Sequence, residues 1–248
     1  MRGLGHGVIV VAMTVLTQVG GLAWLVALCV RRRLMGFLVA YVALWMGAVL
    51  AAPAVSGRVP MPCLGEPLRA QSPLYCATLR HFVTPELRAV AQDAADAVAD
   101  AHPGTVTLAL DGGFPFWDGF PLLPHLSHDD GQKLDLAFYY ADAEGAYLPG
   151  RTASPIGYWA FALKGDPVCP PAWPTMRWGM GWLQPVWPDY RVDVARTRTL
   201  IRALAADPRV VKIFVEPPIA DAWGVVGPKV RFQGCRAARH DDHIHLQL

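Results

Sequence analysis

Seven histidines lie beyond residue 57, and five of them fall in two tight clusters. The first reads His125-Leu126-Ser127-His128-Asp129-Asp130-Gly131-Gln132-Lys133-Leu134-Asp135, and the second reads His240-Asp241-Asp242-His243-Ile244-His245. Two imidazoles and one carboxylate are a catalytic rather than a structural zinc pattern, because they leave the fourth position of the metal open. Along a strand, His243 and His245 project on the same face. One of them can ligate zinc while the other stands over the open position. A loop histidine at 128 and a strand carboxylate at 135 can converge through one turn, with Gly131 tolerating the positive φ that such a turn needs. Either cluster alone reads equally well as a polar loop or terminus; together they point to one mononuclear zinc site.

The segment from Ser127 and His128 through Gly131 to Asp135 resembles the S-x-H-x-x-G-x-x-x-D motif of the metallopeptidase superfamily that contains lysostaphin-type enzymes and D-Ala-D-Ala carboxypeptidases. The pair His125 and His128, the pattern His240-x-x-His243-x-His245 and the stretch Leu200–Pro217 are closer still to the penicillin-insensitive murein endopeptidases. The resemblance spans residues 82–248, with 141–190 unmatched. It implies one zinc ion on His128, Asp135 and His245. It also implies that His243 and His240 are unliganded catalytic histidines that polarise water and stabilise the oxyanion. His125 and Ser127 would orient a ligand or contact substrate. In two respects the chain departs from the family. Gln132-Lys133-Leu134 is less apolar than usual, and Asp129-Asp130 and Asp241-Asp242 place acids beside the histidines. Those acids read as solvated loop charges, with acceptors for imidazole N–H groups as the alternative.

The elements that must carry these residues follow from periodicity. Thr84-Pro85-Glu86 opens a helix with an N-cap, Pro at the first helical position and an acid in the first turn. Leu87, Val90, Ala91, Ala94 and Val98 continue it at helical spacing. Thr105–Leu110 and Lys133–Tyr140 read as strands, 192–206 as a second helix, and Val210–Val215 and His243–Leu248 as further strands. This mixture predicts an α+β domain with a small, mostly antiparallel sheet and flanking helices. The resemblance makes that fold D-Ala-D-Ala peptidase-like. Residues 141–190 carry Trp159, Trp173, Trp178, Trp182 and Trp187 without periodicity. They are either a sugar- or peptide-binding surface or packing residues.

Before this domain, Gly7–Val30 and Leu34–Val55 are uncharged apolar runs, each long enough to cross a bilayer. Two transmembrane helices are expected, with the Arg31-Arg32-Arg33 cluster between them cytoplasmic and both flanks outside. A signal peptide ending near Ala51–Ala54 is the rival reading; it exports the domain as well. The expected division is 1–57 as membrane anchor, 58–80 as linker and disulfide loop, and 81–248 as zinc peptidase domain. The catalytic part then faces the periplasm from the cytoplasmic membrane. Residues 1–65 hold five Arg and no acid, so the remainder carries 17 basic and 20 acidic residues. That balance argues against a nucleic-acid partner. Four cysteines on the exported side suggest two disulfides, Cys63–Cys76 and Cys169–Cys235. No C-x-x-C pair supports a four-cysteine zinc site. The expected substrate is a peptidoglycan peptide, cleaved at a cross-link. A D,D- or L,D-carboxypeptidase, a non-hydrolytic wall-binding domain and a metal-storage protein are the alternatives.

Overall fold

The protein is described by a computed structural model covering residues 2–248. The chain opens with helices α1 (Arg2–Thr17), α2 (Gly20–Leu28) and α3 (Arg33–Val55). It continues through β1 (Val59–Pro60), β2 (Leu68–Ala70), α4 (Pro73–Ala77), β3 (Phe82–Val83), α5 (Pro85–Ala101), β4 (Thr107–Ala109), β5 (Lys133–Ala137) and β6 (Tyr140–Ala141). The last elements are β7 (Arg191–Val192), α6 (Val194–Ala206), β8 (Lys212–Phe214), α7 (Pro217–Ala222), β9 (Val230–Arg231) and β10 (His243–Gln247). The α+β class is as expected.

The main sheet has the order β2-β4-β5-β10-β8-β9. Its three central pairings are antiparallel and its two outer ones parallel, so it is a mixed sheet in which antiparallel pairing has the majority. Alternation along the central strands gives it two unlike faces. Leu134 and Leu136 of β5 and Ile244 and Leu246 of β10 are fully buried against Leu87 and Val90 of α5 and Leu200, Ile201 and Leu204 of α6. The intervening Asp135, His243 and His245 must therefore point to the other face. Each buried aliphatic side chain contributes about 1.5–3 kcal/mol, enough in sum to fix the register and thereby the site. Both helices begin as their sequences require: Thr84 accepts from Leu87 N, and Asp193 accepts from Arg196 N.

Two expectations for the N-terminal third are revised. The first apolar run is not one helix. It breaks at Gln18, which has a φ of 65°, and α2 folds back along α1. The reason lies in Gly20 and Gly21: a Cβ on Gly21 would lie 1.9 Å from Thr14 Oγ1 and 2.6 Å from the Val10 carbonyl oxygen. Thr17 covers the break, accepting from Gly20 N while its hydroxyl donates to the Met13 carbonyl. Trp24 consequently stacks near His6, 6.0 Å between ring centroids, and Arg33 Nη1 reaches to 3.4 Å from His6 Nε2. The start of α1 and the arginine cluster thus share one end, where two spans would have separated them. Among the described residues one helix, Arg33–Val55, is long and apolar enough to cross a membrane.

Nor is 58–80 a linker. β1 pairs with β3, and β2 forms an edge of the main sheet. Arg58 is buried, donating to the Phe114 and Asp129 carbonyls and pairing with Asp118. The helices and the domain share a core in which Val19, Ala48 and Ala52 pack on Leu79, Phe82, Phe114 and Leu122. Tyr41 and Trp45 donate from α3 to the Ala77 and Cys76 carbonyls at 2.6 and 2.7 Å. Both expected disulfides are present, Cys63–Cys76 and Cys169–Cys235.

Candidate metal centre

The register places Asp135 of β5 directly opposite His245 of β10, and His245 opposite Phe214 of β8. His128 arrives from the loop after Phe114, whose backbone turns through Gly131 at φ 76°, as the glycine's place in the sequence suggested. Three atoms converge. His128 Nε2 lies 3.1 Å from His245 Nδ1 and 3.3 Å from Asp135 Oδ1, and His245 Nδ1 lies 2.8 Å from Asp135 Oδ1. Donors held about 2.0–2.1 Å from a tetrahedral zinc stand roughly 3.3–3.4 Å apart. Two edges of the triangle meet that spacing, and the third needs a shift of about half an ångström.

The hydrogen bonds behind the triangle set what each ring turns toward it. His128 Nδ1–H donates to the Gly112 carbonyl at 2.8 Å, leaving Nε2 as the unprotonated nitrogen directed at the centre. The Gln247 amide nitrogen donates to His245 Nε2 at 3.0 Å, so in the metal-free chain His245 Nδ1 carries the proton and donates it to Asp135 Oδ1 at 2.8 Å; a metal on Nδ1 would take that proton's place. Tyr158 donates to Asp135 Oδ2 at 2.7 Å, so Oδ1 alone is turned to the two imidazoles. A carboxylate oxygen and two imidazole nitrogens converge in a buried pocket, an arrangement that needs a proton or a metal cation between them. In the metal-free chain the charges in the pocket shift one another's ionisation. Burial alone would raise the Asp135 pKa, but the charges of His128, His243 and His245 hold it well below the usual carboxylate range. Burial would lower that of His128, yet the Asp135 carboxylate outweighs it and the value is raised. His245 is pushed down to about 4 by burial, which keeps it neutral and able to ligate.

His125 joins from the other side of Asp135. Its Nδ1 lies 3.3 Å from Asp135 Oδ2 and 3.0 Å from Asp111 Oδ2. His125, His128 and Asp135 can each bring one donor atom within 4.8 Å of the others and could hold a metal ion. The triangle completed by His245 is tighter, and His125 is already shared with Asp111, so His125 fits better as the partner that steadies the carboxylate.

Over the open side stand His243 and His240, with ring centroids 4.9 Å apart. Asp242 accepts from His243 Nδ1, which turns Nε2 inward to 3.8 Å from Asp135 Oδ2. Burial would depress the His243 pKa, but the adjacent Asp242 and Asp135 charges raise it to about 9. His240 has no such partner. Burial first, and then the neighbouring imidazoles, hold its pKa well below the usual histidine range. One histidine is therefore set up to carry a proton and the other to remain neutral.

The seven candidate residues, Ser127 included, line one cleft of about 150 Å³ together with Met176 and Gln233. Ser127 is exposed at its rim. It directly precedes His128, one position closer than the S-x-H spacing requires, so the motif match there is looser than the other residues make it.

Of four buried residues behind the site, Asp111 and Tyr158 were not singled out by sequence, and Asp241 and Asp242 were read first as solvated charges; Asp242 meets the alternative reading, accepting from His243 Nδ1. Asp111 follows β4, accepts a bidentate pair from Arg80 at 2.6 and 2.7 Å, and is held down to about 2: burial raises it, but Arg80 more than compensates. Tyr158 comes from the aperiodic region and gave no signal. Asp241 and Asp242, read as solvated charges, are buried: Asp241 pairs with Arg239, and Asp242 accepts from Trp159 N. The reading fits Asp129 and Asp130 better; these are partly exposed beside Lys133. The tryptophans divide. Trp187 donates inward to the Trp159 carbonyl, whereas Trp173, Trp178 and Trp182 are exposed. No protein-family model matches the chain, and no curated protein matches its sequence.

Proposed function

We propose that the chain is a zinc-dependent peptidase of the murein endopeptidase kind, acting on peptide cross-links of peptidoglycan. The observation that carries this reading is the triangle of His128 Nε2, Asp135 Oδ1 and His245 Nδ1, with His243 and its Asp242 partner beside it. On this reading those three residues hold one zinc ion. Zinc bound there supplies a Lewis acid that activates water and polarises the scissile carbonyl. The fold proposed with it is D-Ala-D-Ala peptidase-like.

The chain's own residues account for the rest. Asp135 presents one oxygen to the centre because Tyr158 and His125 engage the other. His243 Nε2–H stands where negative charge develops on the carbonyl oxygen and can afterwards give its proton to the leaving amine, while Asp242 stabilises the imidazolium. Neutral His240 can accept a proton or hold a polar group in place. The cleft is open along one side, as an extended peptide requires.

The exposed apolar faces of α1 to α3 hold the protein in the cytoplasmic membrane, with Arg31–Arg33 at the cytoplasmic end. The two disulfides agree with a domain on the periplasmic, oxidising side. The test uses the full chain in detergent, since removing α3 would bare Phe82 and Phe114. Wild type is expected to contain about one zinc per chain and to release cross-link fragments from purified peptidoglycan. His245→Ala should lose the metal. Zinc bound without fragment release would leave the centre standing and sink the substrate assignment; no zinc would sink both.

A further inference from the structure

A second cavity, of about 410 Å³, adjoins the metal centre and is built from both parts of the chain. Met13, Leu16 and Thr17 of α1 form one wall, and Leu74 and Tyr75 of α4 the opposite one; Leu123 and Ile156 close it. Pro124 and His125 line this cavity and the catalytic cleft alike. Tyr158, whose hydroxyl bonds Asp135, packs edge-on to His125 with ring centroids 4.5 Å apart. The volume is that of a small-molecule site. Its charges are already matched: Arg80 and Asp111 on its floor are paired with each other. What remains is a slot lined mainly by aliphatic and aromatic side chains.

Three observations select its occupant. Leu16, Leu74 and Leu123, which line the slot, are about half exposed, so it opens to the surface beside α1 and α4. α3, which bonds to α4 through Tyr41 and Trp45, exposes Val39, Val42, Met46 and Leu50, so the slot lies beside helices whose apolar side chains face outward, as they would toward lipid. The slot reaches the His125 ring, whose Nδ1 lies 3.3 Å from Asp135 Oδ2. An occupant entering from the lipid side with a polar group at its head would deliver that group to the metal centre. We propose that the slot receives the hydrocarbon tail of a lipid-linked peptide, so that the peptidase acts on substrates carried in its own membrane. This rests on the peptidase reading for what happens at the head group, though not for occupation of the slot.

The experiment uses full-length protein in phospholipid nanodiscs and one short cell-wall peptide in three forms: untailed, fatty-acylated and prenylated. A diazirine at the tail end of the two lipidated forms reports occupation by photo-crosslinking, and hydrolysis is followed in parallel. Crosslinks should map to Leu16 and Leu74, and excess untagged lipidated peptide should suppress them. KM for a tailed peptide should be at least tenfold below that of the untailed one, and whichever tail gives the larger drop identifies the lipid class. Leu74→Trp, which fills the slot, should erase the KM difference. Crosslinks without hydrolysis of any form would sink the peptidase reading and leave this one. Hydrolysis of all three forms with equal KM would overturn it and leave the peptidase. Crosslinks given equally by a diazirine phospholipid and not displaced by lipidated peptide would also overturn it, as marking a general lipid crevice.

Discussion

Asp135 and His245 are cross-strand neighbours whose side chains meet at 2.8 Å on the polar face of a sheet whose other face is solid aliphatic core. Neighbouring Cβ atoms in such a pair stand about 4.5–5.5 Å apart, so the sheet itself presets the distance between the two ligands. His128 is the mobile partner in this sense, arriving on a loop and held by the Gly112 carbonyl. The metal centre is thus two parts rigid and one part supported.

Tyr158 decides how Asp135 is presented. Tyr158→Phe leaves the ring packed against His125 and removes the donor to Asp135 Oδ2, together with the acceptor for the Asp111 backbone N–H. Losing a partner behind a metal ligand typically weakens metal affinity by about 10–100-fold. Zinc affinity measured by competition with a chromogenic chelator should fall within that range, while Asp135→Asn should abolish tight binding. Unchanged affinity in Tyr158→Phe would mean that Asp135 needs no such support.

Asp242 should act through His243. In metal-free protein the His243 imidazole is expected to titrate at about 9, against burial, because of the Asp242 and Asp135 charges. Asp242→Asn removes the nearer charge, so the pKa must fall, and NMR of the imidazole protons should follow it downward. Peptide hydrolysis by His243→Ala should drop by about 10²–10⁴-fold, the usual contribution of a positioned proton donor, with zinc content unchanged. A loss of zinc in His243→Ala would make it a ligand instead.

Much of this site was legible in the sequence because its residues sit at positions where pattern and chemistry coincide. His243 and His245 interrupt an aliphatic alternation, and Asp135 interrupts another between Leu134 and Leu136. Asp242 was misjudged because an acid next to a histidine near a terminus looks the same whether it is solvated or folded under Trp159. Tyr158 was invisible, since it comes from a segment without period whose path is set by contacts distant in sequence. The break at Gln18 was hidden for a related reason. Hydropathy cannot tell a straight apolar helix from two that pack face to face, and the only local trace was the Gly20-Gly21 pair allowing the close approach.

Asp111 makes a pH-dependent contribution to stability. Its pKa is lowered to about 2 by Arg80, from 3.8 in the unfolded chain. A depressed carboxyl contributes stability that is fully present above the unfolded value and is lost as pH falls through the folded one. The shift corresponds to about 2 kcal/mol. Asp111→Asn should therefore cost at least about that much at pH 7, since it also leaves Arg80 without its ion-pair partner. The gap to wild type in denaturant midpoint should narrow below about pH 4. A gap independent of pH would show that the charge of Asp111 contributes nothing.

The Cys169–Cys235 bond ties the tryptophan-bearing segment to the far rim of the cleft. It closes a loop with a sequence separation of 66, against 13 for Cys63–Cys76. Chain-entropy arguments give about 4 kcal/mol for the longer loop and about 3 for the shorter. Within the longer loop Arg177 bridges Asp166 and Glu216, and Glu216 in turn accepts from His240 N. Losing the bond should therefore be felt at the catalytic histidines as well as at the rim. A Cys169→Ser/Cys235→Ser protein is expected to melt at lower temperature and to exchange amide hydrogens faster over residues 166–183. Its peptide KM should rise more than its kcat falls, because Met176 and Gln233 form the cleft wall while Asp135 and His245 lie on the sheet. Loss of zinc in that variant, with the 166–183 amides still protected, would place the effect of the bond on the metal centre instead of the wall.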